Sequence, residues 1–210
     1  MKSTSPVFFV IMAVLVIVGT FFSIRGFQND LPDFSAGDVQ AFRDMKNRML
    51  KEQVGAPFYR NPDFDSLRYF PPQGTERYRC SLYPVQKGEE LDLMPDRPGY
   101  ASHRVVSFVI LEKETWRDTL FLLKDMEDPS DTLLFLPFTD PTNGIESYGG
   151  GRYLDVVTHP GKPVVLDFNF AYNPYCAYNE TFVCALVPKF NRLSRAVRAG
   201  EKNFTASSSH

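Results

Sequence analysis

The chain has 210 residues, of which 43% are apolar and 23% charged, and it carries a net charge of −2. These proportions exclude wholesale disorder and a polytopic membrane protein, and the near-neutral charge supplies no field that would hold a nucleic-acid backbone, so nucleic acid is not an expected partner. With 19 Phe, 10 Tyr and 16 Pro, the composition favours strands and rigid loops over long helices.

The first predicted element is an uncharged run from Val7 to Ile24, interrupted only by Gly19, Thr20 and Ser23. At helical rise it reaches about 27 Å, just enough to cross a hydrocarbon core. It reads either as an uncleaved anchor or as a cleaved leader with Lys2 in its basic region. The run exceeds the usual length of a leader core, and Phe21-Phe22-Ser23 lacks the small-x-small pattern before a cut, which favours the anchor. No Cys follows the run, so a lipid anchor on that residue is excluded. Lys2 and the free amine precede the run and Arg25 follows it, a balance that turns the remaining chain away from the cytoplasm. The expected organisation is thus an anchor at 1–24, a polar stalk at 25–34, a single domain at 35–204 and a low-complexity, disordered tail at 205–210.

After the stalk, Ser35 caps a helix with Asp38 three positions on, a variant of the capping box. Val39, Phe42, Met49, Leu50 and Val54 form its predicted apolar stripe, and the helix should stop by Gly55, ahead of Pro57. Strands are predicted at Arg77 to Pro84, His103 to Glu112, Thr115 to Lys124, Thr132 to Phe138, Arg152 to Val157, Val164 to Phe170 and Thr181 to Leu186. Turn signals such as Glu112-Lys113-Glu114 and Thr142-Asn143-Gly144 suit hairpins. Many short strands with one amphipathic helix in front predict a mainly β fold, an antiparallel barrel or sandwich.

Three features could carry chemistry. Gly149-Gly150-Gly151 reads either as a turn allowing positive φ or, beside Arg152, as backbone donors and a guanidinium gripping a carboxylate or phosphate. A phosphate loop is excluded, because no Gly-Lys-Ser/Thr and no helix follow. In Val164 to Asn173 the strand period puts Leu166, Phe168, Phe170 and Tyr172 on one face and Asp167, Asn169, Ala171 and Asn173 on the other. Asp and Asn are poor strand formers, so the polar row has a hydrogen-bonded task, either pinning loops or lining a ligand site with Arg152. Cys176 and Cys184, eight apart around Asn179-Glu180, are either a disulfide across a hairpin, about 2–3 kcal/mol for so short a loop, or two buried thiols. Cys176 as a nucleophile with His159 as base is a weaker alternative. Cys80 reads as core and His159 as an exposed turn residue. The histidines make no ligand spacing with the cysteines, so neither a metal nor a cofactor is expected. Arg192, Arg195, Arg198 and Lys202 read as a solvated basic stretch, compatible with anionic headgroups.

The segments PFTDPTNGIESYGGGRYLDV, VLDFNFAYNPYCAYNETFVCALVPKFNRL and VRAGEK resemble the bacterial family called domain of unknown function 1684, from about Phe42 to Lys202. Ser194-Arg195 stands where that family's pattern has Leu-Pro. The resemblance implies a shared fold and polar cluster but no activity, and it makes the expected location the bacterial inner membrane, single-pass, with a periplasmic domain. The leading expectation is a binding module for a small anionic ligand or a membrane-protein partner, using Gly150, Gly151, Arg152, Asp167, Asn169 and Asn173. The alternatives are a hydrolase-like enzyme with Asp167 as base and Arg152 as oxyanion partner, and an accessory subunit of a membrane complex.

Overall fold

The computed structural model describes residues 31, 33–94, 102–127 and 132–205. The chain divides into two compact units, Met1–Asp33 and Phe34–His210, and the features below belong to the second. The expected anchor at Val7 to Ile24, nearly all of the stalk, and the tail beyond Thr205 lie outside the described residues. Among the described residues, no helix is long and apolar enough to cross a membrane.

Helix α1 spans Ala36–Glu52, and the Ser35 hydroxyl accepts the Asp38 N–H at 3.1 Å, as the cap signal predicts. Asp38 in its first turn and Lys51 in its last complement the helix dipole. Its buried face differs from the predicted stripe. Val39, Arg43 and Leu50 are buried, Phe42 meets Phe170 edge-on at 5.0 Å, and Met49 and Val54 are exposed. The inward arc follows positions 39, 43, 46 and 50, and two of those four are cations that an apolar pattern passes over.

The strands are β1 (Arg77–Cys80), β2 (Tyr83–Pro84), β3 (Glu90–Asp92), β4 (Ser102–Lys113), β5 (Trp116–Asp125), β6 (Leu133–Phe138), β7 (Arg152–Val157) and β8 (Val164–Asp167). They make two antiparallel sheets. One is six-stranded, in the order β2-β4-β5-β6-β7 with β3 also on β4, and the other pairs β1 with β8. Neither closes into a barrel, so the barrel expectation is corrected, and the domain is mainly β with open antiparallel sheets. Alternation along β4, β5, β6 and β7 turns Val109, Leu111, Leu120, Leu122, Leu136 and Val156 into the main core. Cys80, Val164 and Leu166 reach the same core from the small sheet.

Three predicted strands are corrected. The run from Arg77 to Pro84 breaks after Cys80, and its two pieces join different sheets, with Pro84 on a short exposed edge strand where its missing N–H costs nothing. The strand from Val164 stops at Asp167, whose carboxylate accepts the Asn169 N–H and starts a 3-10 turn at Phe168–Phe170. Thr181 to Leu186 forms no strand. There Asn179 Oδ1 accepts the Thr181 N–H, a local turn that competes with extension, and Leu186 makes one backbone bond to Leu93. The short β3, with Glu90 and Asp92 flanking Leu91, carries too little β-propensity to be predicted.

Burial pushes the Cys80 thiol from its ordinary 9.0 up to about 12. Because the folded value is the higher one, its stabilising contribution is whole below the unfolded value and is lost as pH rises toward 12. Iodoacetamide at about pH 8 should leave Cys80 unmodified in the native chain and modify it once urea unfolds the domain. Rapid native labelling, read by peptide mass, would contradict its burial.

Candidate functional site

Strand β7 begins immediately after the glycine run. Gly151 has φ +95°, and a Cβ there would strike the Phe138 carbonyl and Val187, so only glycine lets β7 start this close to the end of β6. Its N–H is already donated to the Tyr148 carbonyl at 3.2 Å. A Cβ on exposed Gly150 would meet the Tyr148 ring. The run is a turn, and of the expected anion donors Gly150 and Gly151 the latter's N–H is engaged within it.

Arg152 is fully buried. Its Nη2 donates to Asp140 Oδ2 at 2.7 Å and to the Val197 carbonyl at 2.8 Å, and its Nη1 donates to the carbonyls of Ala199 at 2.5 Å and Glu201 at 3.2 Å. Asp140 Oδ1 accepts the N–H groups of Thr142 at 2.8 Å and Val197 at 3.1 Å. Desolvation lowers the guanidinium pKa and the Asp140 charge opposes that shift. Arg152 therefore holds the C-terminal segment onto the sheet, and both of its Nη atoms are taken up by these internal acceptors.

The other predicted residues are also taken up internally. Asp167 Oδ2 pairs with Arg77 Nε at 2.8 Å, while its Oδ1 accepts both the backbone and the side-chain N–H of Asn169. Asn169, fully buried, accepts the Gln73 N–H at 2.9 Å and donates to the Gln73 carbonyl at 2.8 Å, reproducing a backbone pair with its side chain. Asn173 donates its N–H to Glu201 Oε2 at 2.9 Å and its Nδ2 to the Lys202 carbonyl at 2.8 Å. The predicted two-face alternation fails past Asp167, because the 3-10 turn rotates Asn169, Ala171 and Asn173 inward and leaves Phe170 and Tyr172 only partly covered. Arg152 and Asn173 thus meet the same segment, whereas Asp167 and Asn169 pair with Arg77 and Gln73. The hydrolase arrangement of Asp167 with Arg152 is not assembled, each being bonded elsewhere.

The residue that sequence reasoning missed is Glu201, whose side chain is 1% exposed. Its Oε1 meets Lys46 Nζ at 2.5 Å, and its Oε2 accepts from the Asn173 N–H and from the Tyr178 hydroxyl. Lys46 Nζ also lies 4.4 Å from the centre of the Tyr172 ring, and the Tyr172 hydroxyl donates to Asp155 at 3.1 Å. Beside them the Arg43 guanidinium stacks 4.5 Å above the Tyr69 ring and is 4% exposed. Arg43 Nε and Nη2, the Tyr69 hydroxyl and Asn173 Oδ1 are buried without hydrogen-bond partners among the described residues.

Burial raises the pKa of Tyr69 and of Tyr178, and the nearby Glu201 charge raises both further. It lowers those of Lys46 and Arg43 against the pull of Glu201 and, for Arg43, of Tyr69 as well. The phenols therefore remain O–H donors, and the Glu201 oxygens are occupied, so the cluster is a poor general base and a good set of anion donors. The sequence signal for it is two cations, Arg43 and Lys46, on the face of α1 that also buries Val39 and Leu50.

Cys176 and Cys184 are joined with Cα atoms 6.0 Å apart, and they close the loop that carries Tyr178. That loop is irregular, so the pair does not cross a strand hairpin, and Cys176 has no thiol to act as nucleophile. Cys80 is buried in the main core and His159 is exposed. Among the described residues, no group of three or more His, Cys, Asp or Glu side chains is placed to hold a metal. Of the basic stretch, Arg195 is not simply solvated: it pairs with Glu76 at 2.7 Å and lies 4.6 Å from the Trp116 ring centre.

Removing one member of the buried Arg152–Asp140 pair strands the other. Arg152→Met should cost about 3–5 kcal/mol in urea unfolding, and adding Asp140→Asn should cost much less than the sum of the two single changes. Additive losses would mean that the two side chains are not coupled.

The model of a family described as protein of unknown function (DUF1684) matches residues 62–202, beginning later than the resemblance from Phe42 suggested. Among curated proteins, none matches the chain. A solution NMR structure of the uncharacterised protein from gene locus rrnAC0354 of Haloarcula marismortui is similar, with 34% identity, a TM-score of 0.63, and coverage of 79% of this chain and 92% of that one. The span from Pro62 to Lys202 contains Arg152, Asn173, the Cys176–Cys184 loop and Glu201, and the chain belongs to the DUF1684 family of proteins of unknown function.

Proposed function

We propose that the chain is a membrane-anchored, extracytoplasmic binding module of the bacterial envelope, and that it takes a small carboxylate or phosphate at the Arg43–Tyr69 side of the Glu201 cluster. The observation that carries this reading is Arg43. A guanidinium buried without a hydrogen-bonded acceptor is costly, because the Glu201 charge and Tyr69 offset its desolvation only in part. An anion accepting from Arg43 Nε and Nη2 and from the Tyr69 hydroxyl would supply what is lacking, in the bidentate geometry that suits a guanidinium. Glu201 does not compete for that role, since Lys46, Tyr178 and the Asn173 N–H already occupy its oxygens. Binding rather than catalysis is favoured because the cluster offers donors and no free base.

The anchoring half of the proposal is supported by the apolar run from Val7 to Ile24, and the extracytoplasmic half by the Cys176–Cys184 bond, which persists best in an oxidising compartment. An accessory-subunit role has one observation in its favour, the exposed Met45 and Met49 one turn apart on α1.

Isothermal titration of the full chain with succinate and with inorganic phosphate should show binding of at least one of them. Arg43→Gln should weaken it by about tenfold or more, the value of a charge-assisted contact. Binding unchanged in Arg43→Gln, or none by either anion, would refute the site. For the tether, alkaline carbonate should leave the chain in the membrane pellet, and protease added to spheroplasts should digest the domain. Release by carbonate, or protection in spheroplasts, would refute the anchor or the orientation respectively.

A further inference from the structure

The large sheet carries a second, smaller apolar cluster on the face opposite the main core. Alternation along β5 turns Leu120 and Leu122 to the main core and Phe121 and Leu123 to this other side. Val105 pairs with Leu123 but Ser107 pairs with Leu122, so the bulge at Val106 keeps Val105 on the side of Phe121. A cavity of about 270 Å³ lies here, lined by Val85, Glu89, Val105, Phe121 and Phe190.

Its walls are held by backbone bonds. Asn191, fully buried, accepts the Phe121 N–H at 2.8 Å and donates through Nδ2 to the carbonyls of Phe121 at 2.8 Å and Pro137 at 2.9 Å. The preceding residue, Phe190, is thereby held beside β5, and its ring meets that of Phe121 at 74° with centroids 5.1 Å apart. The Phe108 ring of β4 supports Phe121 at 5.9 Å. Phe190 is 41% exposed, so this aromatic corner is open to solvent. Toward β4, the Val105 N–H donates to the Glu89 carbonyl at 3.0 Å, and a Cβ on Gly88 would overlap the Val105 carbonyl, so only glycine lets the chain bring Glu89 this close. Glu90 stands opposite Arg104 and pairs with it, whereas Glu89, one position earlier, alternates to the Val105 side. Among the described residues, Glu89 is the one charge of the lining, and its carboxylate has no ion pair or hydrogen bond.

We infer that this corner binds a compact quaternary ammonium cation, at a site separate from the anion site at Arg43. Aromatic faces carry negative charge density, and two rings set nearly at a right angle beside a carboxylate attract a cation. A trimethylammonium group has no N–H to satisfy, so its methyls pack on the rings and on Val85 and Val105 without leaving a donor unpaired. A primary ammonium would need further acceptors, and among the described lining residues only Glu89 has a side chain that supplies one. The same carboxylate turns anions away. At roughly 30 Å³ per water-sized group, the space holds about nine such groups, which admits choline.

The test is saturation-transfer NMR of choline with the full chain in nanodiscs of phosphatidylglycerol and phosphatidylethanolamine, with empty nanodiscs as the blank. A saturable signal from the N-methyl protons, above the blank, is expected. Phe190→Ala should weaken binding about fivefold, and Phe190→Tyr, which keeps the ring face, should retain it. Glu89→Gln should cost several-fold, and the uncharged carbon isostere of choline should bind about tenfold more weakly. Arg43→Gln should leave choline binding unchanged, so this site and the anion site fail independently. In phosphatidylcholine nanodiscs, loss of the free-choline signal would identify a lipid headgroup as the source of the cation and an unchanged signal the free solute, and either supports the site. A signal no greater than the blank, equal affinity in a Phe190→Ala or Glu89→Gln chain of unaltered melting temperature, or equal binding of the uncharged isostere would overturn the assignment.

Discussion

One buried guanidinium organises the domain. Arg152 carries five N–H donors in a rigid planar fork, and four of its bonds reach Asp140 and the carbonyls of Val197, Ala199 and Glu201. Removing such a charge from water costs several kcal/mol, so the arrangement is tenable only because the fork is nearly saturated. Its consequence is positional. The chain from Val197 to Glu201 has no strand partner along most of its length, yet it is drawn into the interior with its carbonyls aimed at one point. Gly200, at φ +74°, makes the required bend, and a Cβ there would collide with the carbonyls of Phe168 and Ala171.

From that segment the rest of the polar interior follows. With Glu201 held by its backbone, its side chain meets Lys46 from α1, the Asn173 N–H from the segment after the 3-10 turn, and Tyr178 from the disulfide loop. Helix, sheet and C-terminal segment are therefore joined through one carboxylate as well as through apolar contact. Arg152, Asp167, Asn169 and Asn173 read as a ligand site when taken one by one. In space they are chiefly a lock, in which Arg, Asn and Glu side chains satisfy the backbone of irregular segments that no sheet covers.

Much of the fold was legible because its signals are local and periodic. The Ser35 cap, the alternation of β4 and β5 and the tight turn between them depend on neighbours within a few residues, and the structure contains all of them. What could not be read depends on long-range partners. Nothing near Arg152 in sequence indicates that its acceptors lie some 45 residues away, and a buried Arg beside a glycine run has the same local appearance as a ligand-gripping one. Asn169 and Asn173 were correctly singled out as having a hydrogen-bonded task, but the 3-10 turn at Phe168–Phe170 altered which way they point. Glu201 was overlooked because a charge in a basic, near-terminal stretch ordinarily lies in water.

The way polar groups are disposed inside the domain bears on where function resides. Asp140, Asp167, Asn169 and Asn191 are all bonded to backbone or to a cation, so the interior follows the rule that buried polar groups find partners. Against that background the exceptions carry information. Arg43 Nε and Nη2 and the Tyr69 hydroxyl, beside α1, are buried without hydrogen-bond partners among the described residues, as are Arg152 Nε, Asn173 Oδ1 and the Ser107 hydroxyl. Each such donor costs stability that a Leu or Ala in its place would not. The unpartnered donors of Arg43 and Tyr69 are the groups that the proposed anion would satisfy.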